Sequence, residues 1–228
     1  MTEDLGTTAK VVDRSLAEVD AIIATLRTAR HPFARPSKEA WSPGEIVEHL
    51  RLAVRPLNFA LGLPRFVLAL FGRPRGSRSY EQVVEKYRAR LAESARATAP
   101  FVPPRLLASM DTEVLVGKFR EAYLTYGGRL VKAGASLDTG TLPHPILGRL
   151  SLREMSFFIL YHLRHHHEAM RRRTEAGPAP VCPGPRLQSQ FERSWRRSHS
   201  PCWSCALEAT PPGSRVGVSS PMAPPTTR

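Results

Sequence analysis

Tyr161-His162-Leu163-Arg164-His165-His166-His167-Glu168 lies late in a helix that the sequence predicts to begin near Ser151. Residues four apart on an α-helix share a face, with β-carbons about 5–6 Å apart, so His162 and His166 can point at one common centre. His165 and His167 are rotated to other faces. The histidine run therefore reduces to one chelating pair, and a pair alone does not define a metal site.

The helix that carries this pair has a legible origin. Ser151-Leu152-Arg153-Glu154 has the form of a capping box, in which serine and glutamate satisfy amides that the first helical turn leaves unpaired. Met155, Phe158, Ile159, His162, His166 and Ala169 then run down one side, which puts both histidines on the buried stripe. Arg171-Arg172-Arg173 closes the helix where positive charge complements the carboxyl end of the dipole, so this run needs no ligand to explain it.

Three further long helices are predicted upstream. From Lys10 to about Arg30, Val12, Leu16, Val19, Ile22, Ile23 and Leu26 recur at intervals of three and four, and His31-Pro32 ends the pattern. Ser42-Pro43-Gly44-Glu45 opens the second helix with another capping box and a proline at its first position. Its stripe is Ile46, Leu50, Ala53 and Leu57, with His49 on the same side. Pro56 is expected to bend or end it, and Pro64 to prevent one straight helix through Phe71. A third long helix is predicted after Asp111, with Leu115, Phe119, Ala122, Tyr123, Tyr126 and Leu130 inward, ending near Gly134.

Between the second and third of these lies a long crossover. It holds a basic, turn-rich stretch at Gly72–Ser79, a shorter helix from Tyr80 to about Ala97, and a break at Pro100, Pro103 and Pro104. The approach to the last helix, Leu142-Pro143-His144-Pro145-Ile146-Leu147-Gly148-Arg149-Leu150, reads as irregular. The expected fold is all-α: an antiparallel four-helix bundle spanning residues 1–176, with no strand.

From Gly177 onward the composition changes. Of the last 52 residues 10 are proline, 8 serine and 4 glycine, and no apolar periodicity persists, so residues 177–228 are expected to be a disordered tail. The three cysteines, Cys182, Cys202 and Cys205, all fall there, which leaves no disulfide to hold the bundle together. Cys202-Trp203-Ser204-Cys205 has the spacing of half a zinc site, but no second pair follows it.

The formal charge is +13, from 33 Lys and Arg against 20 Asp and Glu among 228 residues. Charge favours contact with acidic partners without identifying one. The basic residues are spread over several elements and no base-stacking or helix-turn-helix signature accompanies them, so nucleic acid ranks low as a partner. The polar, acidic start lacks the features of a secretory signal, and the most apolar run, Leu57–Phe71, is shorter than the ~20 residues a membrane span needs. A cytoplasmic protein without membrane contact is the expectation.

On an inward position His49 is either a core imidazole hydrogen-bonded to a neighbour or a third metal ligand. The sequence resembles the DinB-like, YfiT-related superfamily of four-helix proteins. The resemblance covers about residues 10–174 and rests on Trp41-Ser42-Pro43-x-x-Ile46-x-x-His49-Leu50, His144-Pro145-x-x-Gly148-x-Leu150-Ser151 and Tyr161-His162-x-x-x-His166. It implies a three-histidine divalent-metal site made by His49, His162 and His166; neutral imidazoles suit zinc, nickel, iron or copper, and zinc, nickel or iron is the expectation. It also implies metal-dependent chemistry of the thiol S-transferase or hydrolase type, with a low-molecular-weight thiol as a second cofactor. A non-catalytic metal-binding stress-response protein is the alternative, and a nucleic-acid binder the third. A small-molecule substrate and a homodimer are the partner expectations. His144 is expected near the bundle mouth, His167 on the surface, and Glu45 and Glu48 are assigned no catalytic role.

Overall fold

The computed structural model describes residues 5–70, 72, 74, 76–93, 97–105 and 110–175. The expected disordered tail and its cysteines lie outside the described residues. Four long helices form the bundle: α1 (Thr8–Thr28), α2 (Pro43–Leu61), α5 (Thr112–Ala133) and α6 (Leu152–Glu175). Two shorter ones, α3 (Arg65–Leu70) and α4 (Tyr80–Ala92), occupy the crossover.

The helix starts follow from local chemistry. At α2 the Ser42 hydroxyl accepts from the Glu45 amide at 3.2 Å, while the Glu45 carboxylate accepts from the Ser42 amide at 2.8 Å. At α6 the amide of Ser151 donates to Glu154 at 2.9 Å and that of Glu154 to the Ser151 hydroxyl at 3.1 Å. Each box is clamped by an arginine, Arg35 on Glu45 and Arg78 on Glu154. These arginines fasten loop segments to the helix starts that precede His49 and His162.

Direction follows from contacts along the helices. Tyr123 donates to the Leu50 carbonyl at 3.1 Å and Arg129 to that of Asn58. α2 and α5 therefore run the same way, as a long crossover between them allows. α6 opposes α2: Trp41, just before α2, meets Arg173 near the end of α6, while His49 meets His162. Ile22, Ile23, Leu50, Leu57, Phe119, Tyr123, Tyr126 and Leu163 are at most 1% exposed and fill the space between the four helices.

Two expectations change. Of the bend or end expected at Pro56, the end does not occur: Pro56 lies inside α2, which continues through it to Leu61. A proline there forfeits a backbone hydrogen bond, at a cost of about 3 kcal/mol, but Val54, Leu57 and Ala60 are buried on either side of it and hold the helix in place. The chain does break before Pro64, and α3 is separate.

The second change is that the approach to α6 contains a hairpin. β1 (Thr141–His144) pairs antiparallel with β2 (Gly148–Ser151), His144 opposite Gly148 and Thr141 opposite Ser151. Pro145-Ile146-Leu147 form a three-residue loop, and Gly148 has φ of 76°. Such loops place a left-handed residue at their end, and glycine adopts it without the usual steric penalty. No helix among the described residues is long and apolar enough to cross a membrane.

Candidate metal centre

His49 sits in the second turn of α2, and His162 and His166 lie one turn apart on α6. The ligand nitrogens of these three all lie within 4.8 Å of one another. The ring centroids are separated by 5.0 Å for His49 and His162, 4.8 Å for His49 and His166, and 4.6 Å for His162 and His166. The structure therefore brings all three expected residues together.

Their tautomers are partly fixed. A carbonyl only accepts, so His49 Nδ1–H donates to the Phe101 oxygen at 2.7 Å, leaving Nε2 with its lone pair. That atom faces His162 Nε2 at 3.1 Å. His162 Nδ1 is buried with no hydrogen-bond partner among the described residues.

Burial pushes the His49 pKa down, against the raising effect of the Phe101 bond and aided by His165. His162 and His166 are pushed well below the usual range, first by burial and then by neighbouring cationic or imidazole groups. Three neutral imidazoles are the protonation state that metals require.

The donor set fits a divalent ion. Two nitrogens about 2.0–2.1 Å from a tetrahedral zinc lie roughly 3.3 Å apart, close to the observed contact between the His49 and His162 rings. Ligating histidines also commonly donate their other N–H to a carbonyl, as His49 does to Phe101. Trp41 flanks the group, its ring 4.8 Å from that of His49 and stacked 6.4 Å from that of His166.

The three rings form part of the wall of a cavity of about 180 Å³. Tyr87, Phe158 and Met155 give it a buried apolar floor, and Pro143, Pro145 and Thr98 an exposed rim. Burial raises the Tyr87 hydroxyl to about 12. His165, although rotated away from the chelating face, lies half-buried on the cavity wall, its ring 6.0 Å from that of Tyr87.

Other expectations resolve differently. His167 is only partly on the surface: its side chain is 17% exposed, with Nδ1 3.1 Å from Glu18 and Nε2 3.1 Å from the Thr25 hydroxyl. It ties α6 to α1, because its face of α6 is the one that α1 covers. Glu45 and Glu48, given no catalytic role, pair with Arg35 and Arg51. His49 is oriented by the Phe101 carbonyl, a backbone group on the crossover that no side-chain motif announces.

A family model described as "Protein of unknown function (DUF1569)" matches residues 13–173, a span that contains all three histidines. No curated protein matches the chain. Among solved structures, one described as "Crystal structure of TT2238, a four-helix bundle protein" is 19% identical. The match covers 73% of this chain and 100% of that one, with a TM-score of 0.48.

Proposed function

The chain belongs to the DUF1569 family, and we propose that this member is a divalent-metal-binding protein of the DinB-like kind, with His49, His162 and His166 as ligands. The observation that carries the reading is the convergence of three neutral imidazoles from two helices beside an apolar cavity. Zinc, nickel or iron suits such nitrogens, and three protein ligands leave room for water or a ligand atom.

We further propose a metal-dependent enzyme of the thiol S-transferase or hydrolase type, acting on a small molecule. When bound, the ion would supply Lewis acidity, lowering the pKa of a coordinated thiol or water. The chain supplies the rest. Phe101 orients the His49 ring, Trp41 covers one side of the cluster, and the apolar wall formed by Tyr87, Phe158 and Met155 limits water. The DinB-like resemblance supports the chemistry, and a low-molecular-weight thiol is the proposed second cofactor. The alternative is a non-catalytic metal-binding stress-response protein, which needs the same ligands.

Metal analysis of protein purified without a histidine tag tests the site. The wild type is expected to hold a divalent ion that the triple variant His49→Ala, His162→Ala, His166→Ala lacks. Equal metal content in the two would overturn the assignment. Thiols offered with electrophilic substrates, with and without the ion, then separate the enzyme from the non-catalytic binder.

A further inference from the structure

His144 stands at the end of β1 and lines the same cavity as the three clustered imidazoles. Its Nδ1 accepts from the amides of Ile146 at 3.2 Å and Leu147 at 3.1 Å. A nitrogen that accepts carries no proton, so the proton of this neutral ring resides on Nε2. The ring packs edge-on against Phe158 at 4.4 Å, and Phe158 stacks on His162 at 5.0 Å. The Nδ1 edge is turned back into the hairpin loop, and Nε2 has no hydrogen-bond partner among the described residues.

Beside its imidazoles the cavity wall is mostly apolar, with Trp41, Tyr87 and Thr98 as further polar side chains and no Lys, Arg, Asp or Glu among its lining residues. An anion held away from the metal donors would be buried without a counter-ion, which is costly, whereas a neutral acceptor needs only one donor. The volume of about 180 Å³ suits a ligand of substituted-benzene size, since a cavity of roughly 150 Å³ holds benzene.

Granting the ligand-binding reading of this cavity, on which the step rests, we infer that His144 Nε2–H is the hydrogen-bond donor through which the protein selects small ligands carrying a neutral carbonyl oxygen on an apolar body. Burial holds the ring's pKa at about 4, so the donor stays neutral at physiological pH and offers one proton without a charge. His144 is thus a positioning residue, oriented by the hairpin loop and outside the proposed ligand set.

The test uses acetophenone and α-methylstyrene, which share a shape and differ by oxygen against methylene, on the full chain with and without zinc. The variant His144→Asn keeps an acceptor near the Nδ1 position for the loop amides and withdraws the donor from the Nε2 position, its own shorter amide N–H lying nearer the backbone. Wild type is expected to prefer acetophenone by about tenfold more than the variant does, the size of one hydrogen bond. In wild-type protein carrying ¹⁵N-labelled histidine, the His144 Nε2–H resonance is expected to move with acetophenone and not with α-methylstyrene, a readout that requires no variant to fold.

The same preference in both proteins, an unmoved resonance, or no binding of either probe at millimolar concentration would overturn the inference. Loss of metal from His144→Asn would also overturn it, by making the residue a support of the ligand set. Failure of the metal assignment itself is read separately, from the triple histidine variant, and does not alter the preference measured without zinc.

Discussion

His49 and His162, 113 positions apart in sequence, face each other Nε2 to Nε2 at 3.1 Å. At most one proton can lie between them, and the Phe101 carbonyl holds the other His49 proton on Nδ1. We expect ¹⁵N spectra of the metal-free protein to show His49 as the Nδ1–H tautomer. An Nε2–H tautomer would contradict the hydrogen bond from His49 to the Phe101 carbonyl. With the tautomer confirmed, His49→Ala alone should weaken metal binding by about 100-fold or more, because even outer partners of ligands are worth about 10–100-fold.

Acid should weaken the fold partly through His144. Its ring titrates near the ordinary histidine value of 6.5 when unfolded and near 4 in the folded chain, where burial disfavours the cation. Between those values the unfolded state binds more protons. The ring therefore opposes folding only below about pH 6.5, and its penalty grows as pH falls, to about 3 kcal/mol as an upper figure near pH 4. Urea unfolding from neutral pH down to pH ~4.5 should show a steeper loss in wild type than in His144→Asn. Parallel losses would contradict the assigned burial effect.

Gly140 precedes β1 and lies under α3. A β-carbon there would sit 2.5 Å from the Leu68 carbonyl oxygen and 2.9 Å from its carbon. Backbone cannot swing aside as the tip of a side chain can, so Gly140→Ala should cost about 1–3 kcal/mol through overpacking. Denaturant melts would measure it. A neutral substitution would show that α3 moves freely over the hairpin.

Leu50 is fully buried beside His49. Leu50→Ala should lose about 2–5 kcal/mol of stability by leaving a cavity, while the folded fraction retains its metal. Calorimetry and metal analysis on the same sample check both parts. Loss of metal from fully folded Leu50→Ala would mean that the site depends on core packing beyond its ligands and their direct partners.

Much of the bundle was legible because its long helices announce themselves locally. Ser42 and Glu45, and Ser151 and Glu154, mark helix starts by spacing alone, and the stripes through His49 and His162 put both rings inward. The hairpin was harder to read: strands of four residues, one containing Pro143, carry little alternation, and the informative signal was the short Pro145-Ile146-Leu147 loop followed by Gly148. His167 was only partly placed because its face looks polar until α1 brings Glu18 and Thr25 against it. Phe101 could not be read at all, since it acts through its carbonyl and any residue type carries one.

That carbonyl gives the crossover a stake in the metal. If His49 ligates an ion only while its ring is held, then loading the site also pins the segment around Phe101 against α2, and loosening that segment loosens the ion. Occupancy would therefore appear as protection of residues 97–105 from proteolysis. A partner that pulls the crossover away could unload the site without touching a single histidine.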